Sequence, residues 1–265
     1  MLTAILGWLS RSVPHLKRPF WGRLYERLAR DRDALWRFMN YGFEDPDAPR
    51  PALDPADEPD RYGIQLYHHV VSAVDLRGRT VLEVGCGRGG GASYIARYLR
   101  PRLLVGVDLS PGAAALCRRH VAGGAFLSGD AQALPFPAER FDAVVNVESS
   151  HCYPRMEAFS AEAFRVLRPG GVLLFADLRL RGAHHRLREQ LLRPGFRVLR
   201  ELDITAHVVR ALHLDSPRRK MWIRDKVPGI VRAPFEAFAG VAGTTFYRML
   251  RDGKGAYLSF VLQKP

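Results

Sequence analysis

Cysteine is scarce in this chain of 265 residues, which contains only Cys86, Cys117 and Cys152. Three is an odd number, and the spacing is not that of zinc ligands, so the sequence indicates neither a disulfide framework nor a metal site. A reducing compartment suits such a chain. We therefore expect a cytoplasmic protein that binds no metal.

Long apolar runs are also missing. The first one, residues 2–9, is too short to span a bilayer and lacks the positive charges that precede the core of a signal peptide. Apolar residues nevertheless make up 47% of the chain, enough for a sizeable buried core. The sequence predicts a folded α/β protein without stable membrane insertion.

Lysine occurs at only five positions, so the formal net charge of +13 comes almost entirely from arginine. The arginines are spread along the chain and do not form one basic run. A diffuse, solvated surface accounts for this charge, and no RNA-binding module is evident. We predict no nucleic-acid partner.

The N-terminal part predicts a helical arm. Residues 16–28 place apolar side chains at helical spacing among basic ones, as in a basic amphipathic helix. Such a helix either lies on a membrane surface, packs on its own domain or joins subunits of a homo-oligomer. Residues 1–45 are predicted to be helical, and 46–60 form a linker rich in proline and aspartate.

From residue 61 onward, short apolar runs alternate with helical segments, which predicts a parallel sheet covered by helices on both faces. The continuous apolar character of the strands indicates burial on both sides. The predicted strands are 80–85, 103–108, 125–129, 141–147, 172–178, 196–204 and 257–263, and the helices 91–99, 111–121 and 156–167. Domain 61–265 then includes a lid insertion at about 205–254.

A glycine-rich turn follows the first of these strands, in the segment VLEVGCGRGGG at 81–91. Glycines allow a ligand to approach the backbone closely, at the start of a helix. Asp108 ends the second strand 21 residues after Gly87, near the spacing of an acid that binds ribose hydroxyls. The third glycine comes one residue too early for the dinucleotide pattern GxGxxG, which disfavours NAD.

These segments resemble the motifs of class I S-adenosylmethionine-dependent methyltransferases. The motifs are EVGCGRG (83–89), VDLS (107–110), GDA (129–131), FDAV (141–144) and VLRPGG (166–171). The resemblance implies a Rossmann-like, seven-stranded, mostly parallel sheet and S-adenosylmethionine as cofactor. It implies that the methionine part lies against Gly85, Gly87 and Gly89, the ribose against Asp108 and the adenine amino group against Asp130. Further cofactor contacts implied by it are Glu83, Leu109, Ala131, Asn146 and Glu148.

Two more residues predict chemistry. His151 follows the fourth strand and Asp177 ends the fifth, and ligands of open α/β sheets bind beyond the carboxyl ends of the strands. Histidine suits removal of a proton from an attacking hydroxyl near neutral pH, and a carboxylate fixes its tautomer. This pair resembles the His–Asp pair of O-methyltransferases acting on natural-product sugars. The competing interpretation of His151 is a hydrogen-bonded core histidine.

Outside the core, the chain resembles bacterial polyketide and lipid O-methyltransferases of the phthiotriolone dimycocerosate and cyanotoxin-tailoring types. The match rests on FMNYG (38–42), RYGIQLY (61–67) and DITAHVVRAL (203–212). It implies that Tyr41, Tyr62 and Gln65 help to close the cofactor pocket. Phe43 departs from the tyrosine more usual there.

We therefore predict transfer of a methyl group to a hydroxyl of a small, apolar natural product such as a polyketide, lipid or glycoside, tailored in bacterial secondary metabolism. The alternative is a C-methyltransferase acting on a prenyl or other carbon nucleophile. A non-catalytic cofactor-binding module is a third hypothesis, which the His151–Asp177 pair disfavours. The predicted lid would wall the acceptor pocket with aromatic side chains: Trp222, Phe235, Phe238, Phe246 and Tyr247.

Overall fold

The structure is a computed structural model and describes residues 37–265. The predicted basic helix at 16–28 lies outside the described residues.

Seven strands form one sheet in the order β3-β2-β1-β4-β5-β7-β6. Strands β1 to β5 are parallel, and β7 runs antiparallel to both β5 and β6. This arrangement confirms the predicted Rossmann-like, mostly parallel fold. The strands are β1 (Thr80–Val84), β2 (Leu103–Asp108), β3 (Gly124–Ser128), β4 (Phe141–Val147), β5 (Leu167–Leu180), β6 (Arg197–Asp203) and β7 (Gly255–Gln263).

Helices pack on both faces of this sheet and bury two apolar layers, one on each side. Each central strand is buried along its length because β-branched and other apolar side chains serve both layers. The helices are α1 (Arg61–Val71), α2 (Gly90–Tyr94), α3 (Pro111–His120), α4 (Met156–Val166), α5 (His184–Leu192), α6 (Thr205–Lys226), α7 (Gly229–Phe238) and α8 (Thr245–Arg251).

The strand order places a crevice at the carboxyl ends of β1 and β4. The chain leaves β1 toward β2 on one side and reaches β4 on the other, so the loops after β1 and β4 diverge there. Ligands of doubly wound sheets bind at this switch point. The glycine-rich turn follows β1, and the segment containing His151 follows β4.

The prediction of helix through residue 45 is wrong for the described part of that segment. Residues 37–45 are not helical, because hydrogen bonds to the Asn40 side chain compete with a helix. The Asn40 side-chain amide donates to the Gly63 carbonyl at 3.1 Å, and its oxygen accepts the Gly42 N–H at 3.0 Å. Gly42 also has a φ of 85°, which a helix does not allow.

Other boundaries moved by a few residues. β5 begins at Leu167, which was predicted to end the preceding helix, because a bulge carries the chain from the Phe141–Leu167 pair to the Ala143–Val172 pair. The helix predicted at 91–99 is α-helical only to Tyr94 and then makes a π-helical turn, Ile95–Leu99.

Between β6 and β7 lies an inserted segment that contains α6, α7 and α8, which we call the lid. Its α6 is 22 residues long and includes Pro217. Within residues 37–265, each helix is too short or too polar to cross a membrane.

Candidate active site

The turn after β1 is built from glycines with left-handed backbone conformations. Gly85 has a φ of 78°, and an added Cβ would lie 2.4 Å from the Ser149 hydroxyl. Gly87 has a φ of 52°, but an added Cβ would meet no atom within 4 Å. The turn is therefore packed at Gly85 and borders open space at Gly87. Gly89 directly precedes α2 as its N-cap.

Asp108 connects this turn with the end of β2. One carboxylate oxygen accepts the Gly87 N–H at 2.8 Å, and the other accepts the Ser110 N–H at 2.9 Å. Ser110 in turn caps α3 through the Ala113 N–H. The intervening Leu109 side chain is largely exposed at the mouth of the crevice.

Glu83, on β1, is a buried carboxyl group with one occupied oxygen. The Tyr67 hydroxyl donates to Oε1 at 2.8 Å, while the buried Oε2 has no hydrogen-bond partner among the described residues. Burial raises the pKa of Glu83 to about 8, against the opposing hydrogen bond from Tyr67. A buried acceptor without a donor is costly unless a ligand supplies one.

Beyond β3, Asp130 closes a short turn. Its Oδ1 accepts both the Gln132 backbone N–H and the Gln132 side-chain amide, each at 2.9 Å. Gln132 also accepts the Arg155 N–H through its side-chain oxygen, which ties this turn to the start of α4. Ala131 between them is buried. Asp130 thus has a fixed position on the same edge of the sheet as Asp108.

Asn146, near the end of β4, is fully buried and packs against the glycine-rich turn. Its amide lies 2.9 Å from the Val84 carbonyl and within 3.0 Å of the Ser149 and Tyr153 hydroxyls. These contacts hold the β4 loop against the β1 turn. They make Asn146 a support of the crevice wall, and its direct contact with the cofactor stays a prediction.

Glu148 links three parts of the chain. Its Oε1 accepts the Tyr41 backbone N–H and the Tyr257 hydroxyl, both at 2.7 Å. Burial raises the pKa of Glu148 to about 7, although these two hydrogen bonds act in the opposite direction. Tyr41 also packs its ring 4.4 Å from that of Phe246 and donates its hydroxyl to the Phe238 carbonyl. Glu148 therefore connects the β4 loop to the arm and, through Tyr41, to the lid.

The other two arm residues of the prediction lie on α1. The Gln65 amide donates to the Phe43 carbonyl at 2.8 Å and to the Glu44 carboxylate at 2.6 Å, so it holds this part of the arm. Tyr62 accepts the Phe43 N–H through its backbone carbonyl. Both residues bind segment 43–44, and their role in closing the cofactor pocket stays a prediction.

His151 and Asp177 lie side by side. His151 is in a short 3-10 turn, Ser150–Cys152, and Asp177 follows the last residue of β5 that pairs with β4. Nδ1 of His151 is 2.8 Å from Oδ1 of Asp177, and the His151 backbone N–H donates to Oδ2 at 2.8 Å. The Asp177 side chain is fully buried, while that of His151 keeps 34% exposure. A neutral His151 that donates from Nδ1 has its lone pair on Nε2.

The charges of this pair stabilise each other. Burial acts against both charged forms, but the attraction and hydrogen bond between the partners outweigh it. The pKa of His151 therefore lies well above its ordinary 6.5, and the pKa of Asp177 lies below its ordinary 3.8.

Two contributors to this pair were missed at the level of sequence. The Ser150 hydroxyl donates to Asp177 Oδ2 at 2.5 Å, and the Arg179 guanidinium approaches the same oxygen at 3.3 Å. Arg179 had a readable signal, because residues two apart on a strand share a face. Tyr67 and Tyr257 were also missed, and since they reach Glu83 and Glu148 from other elements, no local pattern indicates them.

Three of the five predicted lid aromatics form a connected group. The rings of Trp222 and Phe235 are 6.0 Å apart, and those of Phe235 and Phe238 are 5.9 Å apart. Arg219 on α6 donates to the Ala239 carbonyl at 2.8 Å and to the Asn40 carbonyl at 3.2 Å. The lid is thus attached to the arm on the side where Tyr41 meets Glu148. In the described residues 37–265, no three His, Cys, Asp or Glu side chains are grouped as metal ligands.

Comparison with known proteins gives matches over nearly the whole chain. Residues 82–175 match the family described as "Methyltransferase domain". A phthiotriol/phenolphthiotriol dimycocerosates methyltransferase from Mycobacterium tuberculosis is 41% identical over 230 residues, 86% of this chain and 85% of the relative. A fatty-acid O-methyltransferase from Mycolicibacterium smegmatis is 39% identical over 245 residues, 92% of this chain and 88% of the relative.

Solved structures agree on the fold. The geranyl diphosphate C-methyltransferase of Streptomyces coelicolor A3(2) superimposes with a TM-score of 0.64 at 16% identity, covering 92% of this chain and 98% of its own. At that identity the likeness concerns the architecture alone.

Proposed function

This chain belongs to the S-adenosylmethionine-dependent methyltransferases, in the same family as the phthiotriol/phenolphthiotriol dimycocerosates methyltransferases and a fatty-acid O-methyltransferase, and we propose that it methylates a hydroxyl group of a lipid. In this proposal His151 is the general base, and the ionised carboxylate of Asp177 orients its ring. The observation that carries this proposal is the 2.8 Å contact between His151 Nδ1 and the buried Asp177 carboxylate.

When bound, S-adenosylmethionine would supply a methyl group on a positively charged sulfonium sulfur, from which the neutral thioether of S-adenosylhomocysteine is a good leaving group. The residues of the crevice fit S-adenosylmethionine. Gly87 borders open space, and the buried Oε2 of Glu83 lacks a donor that an ammonium group would provide. We assign the methionine part to the glycine-rich turn and Glu83, the ribose hydroxyls to Asp108 and the adenine amino group to Asp130.

The protein's own task is to position the acceptor and take its proton. A hydroxyl attacks faster when a base removes its proton during the attack, typically by 10²–10⁴-fold. His151 accepts this proton on Nε2, and Asp177 holds Nδ1 protonated and stabilises the imidazolium that forms. The apolar lid side chains wall the acceptor site and exclude water.

The test is His151→Ala, with turnover of a long-chain alcohol and affinity for S-adenosylmethionine measured separately. We expect kcat to fall by about 10²–10⁴-fold, with the cofactor Kd within about twofold of the native value. His120→Ala, an exposed histidine at the end of α3, is the matched control and keeps full turnover. Undiminished turnover of His151→Ala would remove the base role and favour a carbon nucleophile.

A second acceptor class has support in the charge of His151. A fatty-acid carboxylate needs no base, and a protonated His151 beside Asp177 would attract it. The two acceptors predict opposite pH dependence. Methylation of a hydroxyl requires neutral His151 and accelerates as pH rises through the pKa of His151, whereas methylation of a carboxylate slows over the same range. Rates measured from pH 6 to 10 with an alcohol and an acid of equal chain length distinguish them.

A further inference from the structure

Arg179 occupies a position that the proposed function does not use. It lies on β5 two residues after Asp177, and their partners on β7 are Ala256 and Leu258. Successive strand residues alternate between faces, so Arg179 and Asp177 point to the same side. Arg179 is mostly buried, with 15% of its side chain exposed.

The guanidinium is fixed by four contacts. Nη1 lies 3.3 Å from Asp177 Oδ2 and donates to the Leu178 carbonyl at 2.7 Å. Nη2 donates to the Ser150 hydroxyl at 2.8 Å and lies 3.9 Å from the Met156 sulfur. Because the Ser150 hydroxyl donates a hydrogen bond to Asp177 Oδ2, the cation contacts the carboxylate both directly and through this hydroxyl.

The single negative charge of Asp177 therefore faces two cationic partners, Arg179 at every pH and His151 when its ring is protonated. Its Oδ1 faces the His151 ring, and its Oδ2 faces Arg179 and Ser150. His151 and Arg179 both attract the Asp177 carboxylate. Arginine stays protonated at any relevant pH, so the attraction by Arg179 is permanent. The fixed cation offsets part of the carboxylate charge and also repels an imidazolium, so protonated His151 gains less than it would from Asp177 alone.

We infer that Arg179 is a positioning residue that shares the charge of Asp177 and thereby limits how far Asp177 favours the protonated form of His151. This inference rests on the proposed base role of His151. The other titratable or charged groups around the pair come from the β4 loop and from β7: Glu148, Cys152 and Tyr257. None of these is a permanent cation, so Arg179 is the group in this set that opposes protonation of His151 at every pH.

The experiment is an NMR titration of the His151 ring in the full chain, assigned by comparison with His151→Gln. Removing the cation in Arg179→Met should raise the pKa of His151 by about one unit, a tenfold gain in proton affinity. Arg179→Lys keeps the charge and should restore most of the native value. The pH–rate curve for an alcohol acceptor should move to higher pH by the same amount in Arg179→Met.

Arg168→Met is the matched control, since Arg168 forms a 2.8 Å pair with Asp142 at the opposite end of β5. It should leave the His151 titration unchanged. If Arg179→Met does not fold, Ser150→Ala tests the same sharing, because it removes the hydroxyl between cation and carboxylate and should shift the pKa of His151 upward by a smaller amount.

An unchanged or lowered pKa of His151 in Arg179→Met, or in Ser150→Ala if only that variant folds, overturns the inference. Loss of the base role is recognised separately. It appears as full turnover in His151→Ala, whereas the titration reports charge sharing whether or not His151 acts in catalysis.

Discussion

Replacing Asp177 with asparagine removes the charge at the centre of the proposed site while keeping its shape. The native carboxylate accepts hydrogen bonds from four groups: the Ser150 hydroxyl, the His151 N–H, His151 Nδ1 and the Leu178 N–H. An asparagine has a single acceptor oxygen. If that oxygen serves Ser150 and the His151 N–H, the amide NH₂ group faces Leu178 N–H and His151 Nδ1.

Both stability and turnover should then fall. The Leu178 N–H loses its acceptor, and the guanidinium of Arg179 loses its buried counter-charge. Removing one partner of a buried charge pair costs about 3–5 kcal/mol. The amide also donates to His151 Nδ1, which places the ring proton on Nε2. A histidine in that tautomer cannot accept a proton from the acceptor hydroxyl, so kcat should fall by about 10²–10⁴-fold.

Urea unfolding measures the loss of stability. Single-turnover methylation of an alcohol, at a temperature where the variant is folded, measures the fall in the rate of methyl transfer. Asp142→Asn is the control. Asp142 also binds an arginine and a backbone N–H, those of Arg168 and Thr80, but at the opposite edge of the sheet. It should lose stability and keep kcat. An Asp177→Asn protein with native kcat and a native pH–rate curve would refute the dyad.

Three further substitutions test the crevice. Gly85→Ala should destabilise the fold strongly, since its Cβ would lie 2.4 Å from the Ser149 hydroxyl. Gly87→Ala should lower the free energy of unfolding by only about 1 kcal/mol, because of its positive φ. It should instead weaken cofactor binding, measured by calorimetry, because Gly87 borders open space. Glu148→Gln keeps both hydrogen bonds to one oxygen and removes a carboxyl whose pKa is raised from 4.5 to about 7. A raised acid pKa means that native stability falls as pH rises from 4.5 to 7, so the variant should gain about 1–3 kcal/mol relative to the native protein at pH 8 and little at pH 4, measured by urea unfolding.

The fold was predictable because its signals are local and repeated. Each central strand is a run of apolar residues, and each run is followed by a turn and a helix. The order of these elements, with the rule that ligands bind at the carboxyl ends of parallel strands, was enough to expect His151 and Asp177 near one another. The structure places His151 Nδ1 2.8 Å from Asp177 Oδ1, although the two residues are 26 positions apart in the chain.

The contacts of the arm were not predictable in the same way. The helix predicted through residue 45 is absent from 37–45, because the Asn40 side chain accepts the Gly42 N–H that a helix would use and Gly42 has a left-handed backbone conformation. The partner of the Tyr41 N–H is Glu148, 107 residues away. Neither periodicity nor composition contains information about such a pair, because it exists only after the sheet has brought the β4 loop to the arm.

A left-handed turn at Glu148 in the β4 loop directs the chain so that His151 lies beside Asp177 on β5. Glu148 has a φ of 49°, which costs a non-glycine residue roughly 1–3 kcal/mol. Its N–H continues the sheet by donating to the Ala176 carbonyl at 2.9 Å, and its carboxyl group accepts from Tyr41 and Tyr257. These bonds offset the strain, and the turn they fix directs the chain toward Asp177. Every contact of the dyad described above comes from the sheet and its loops, whereas the aromatic side chains that we propose as walls of the acceptor site belong to the lid. On the proposed function, proton transfer and choice of acceptor therefore depend on different parts of the chain.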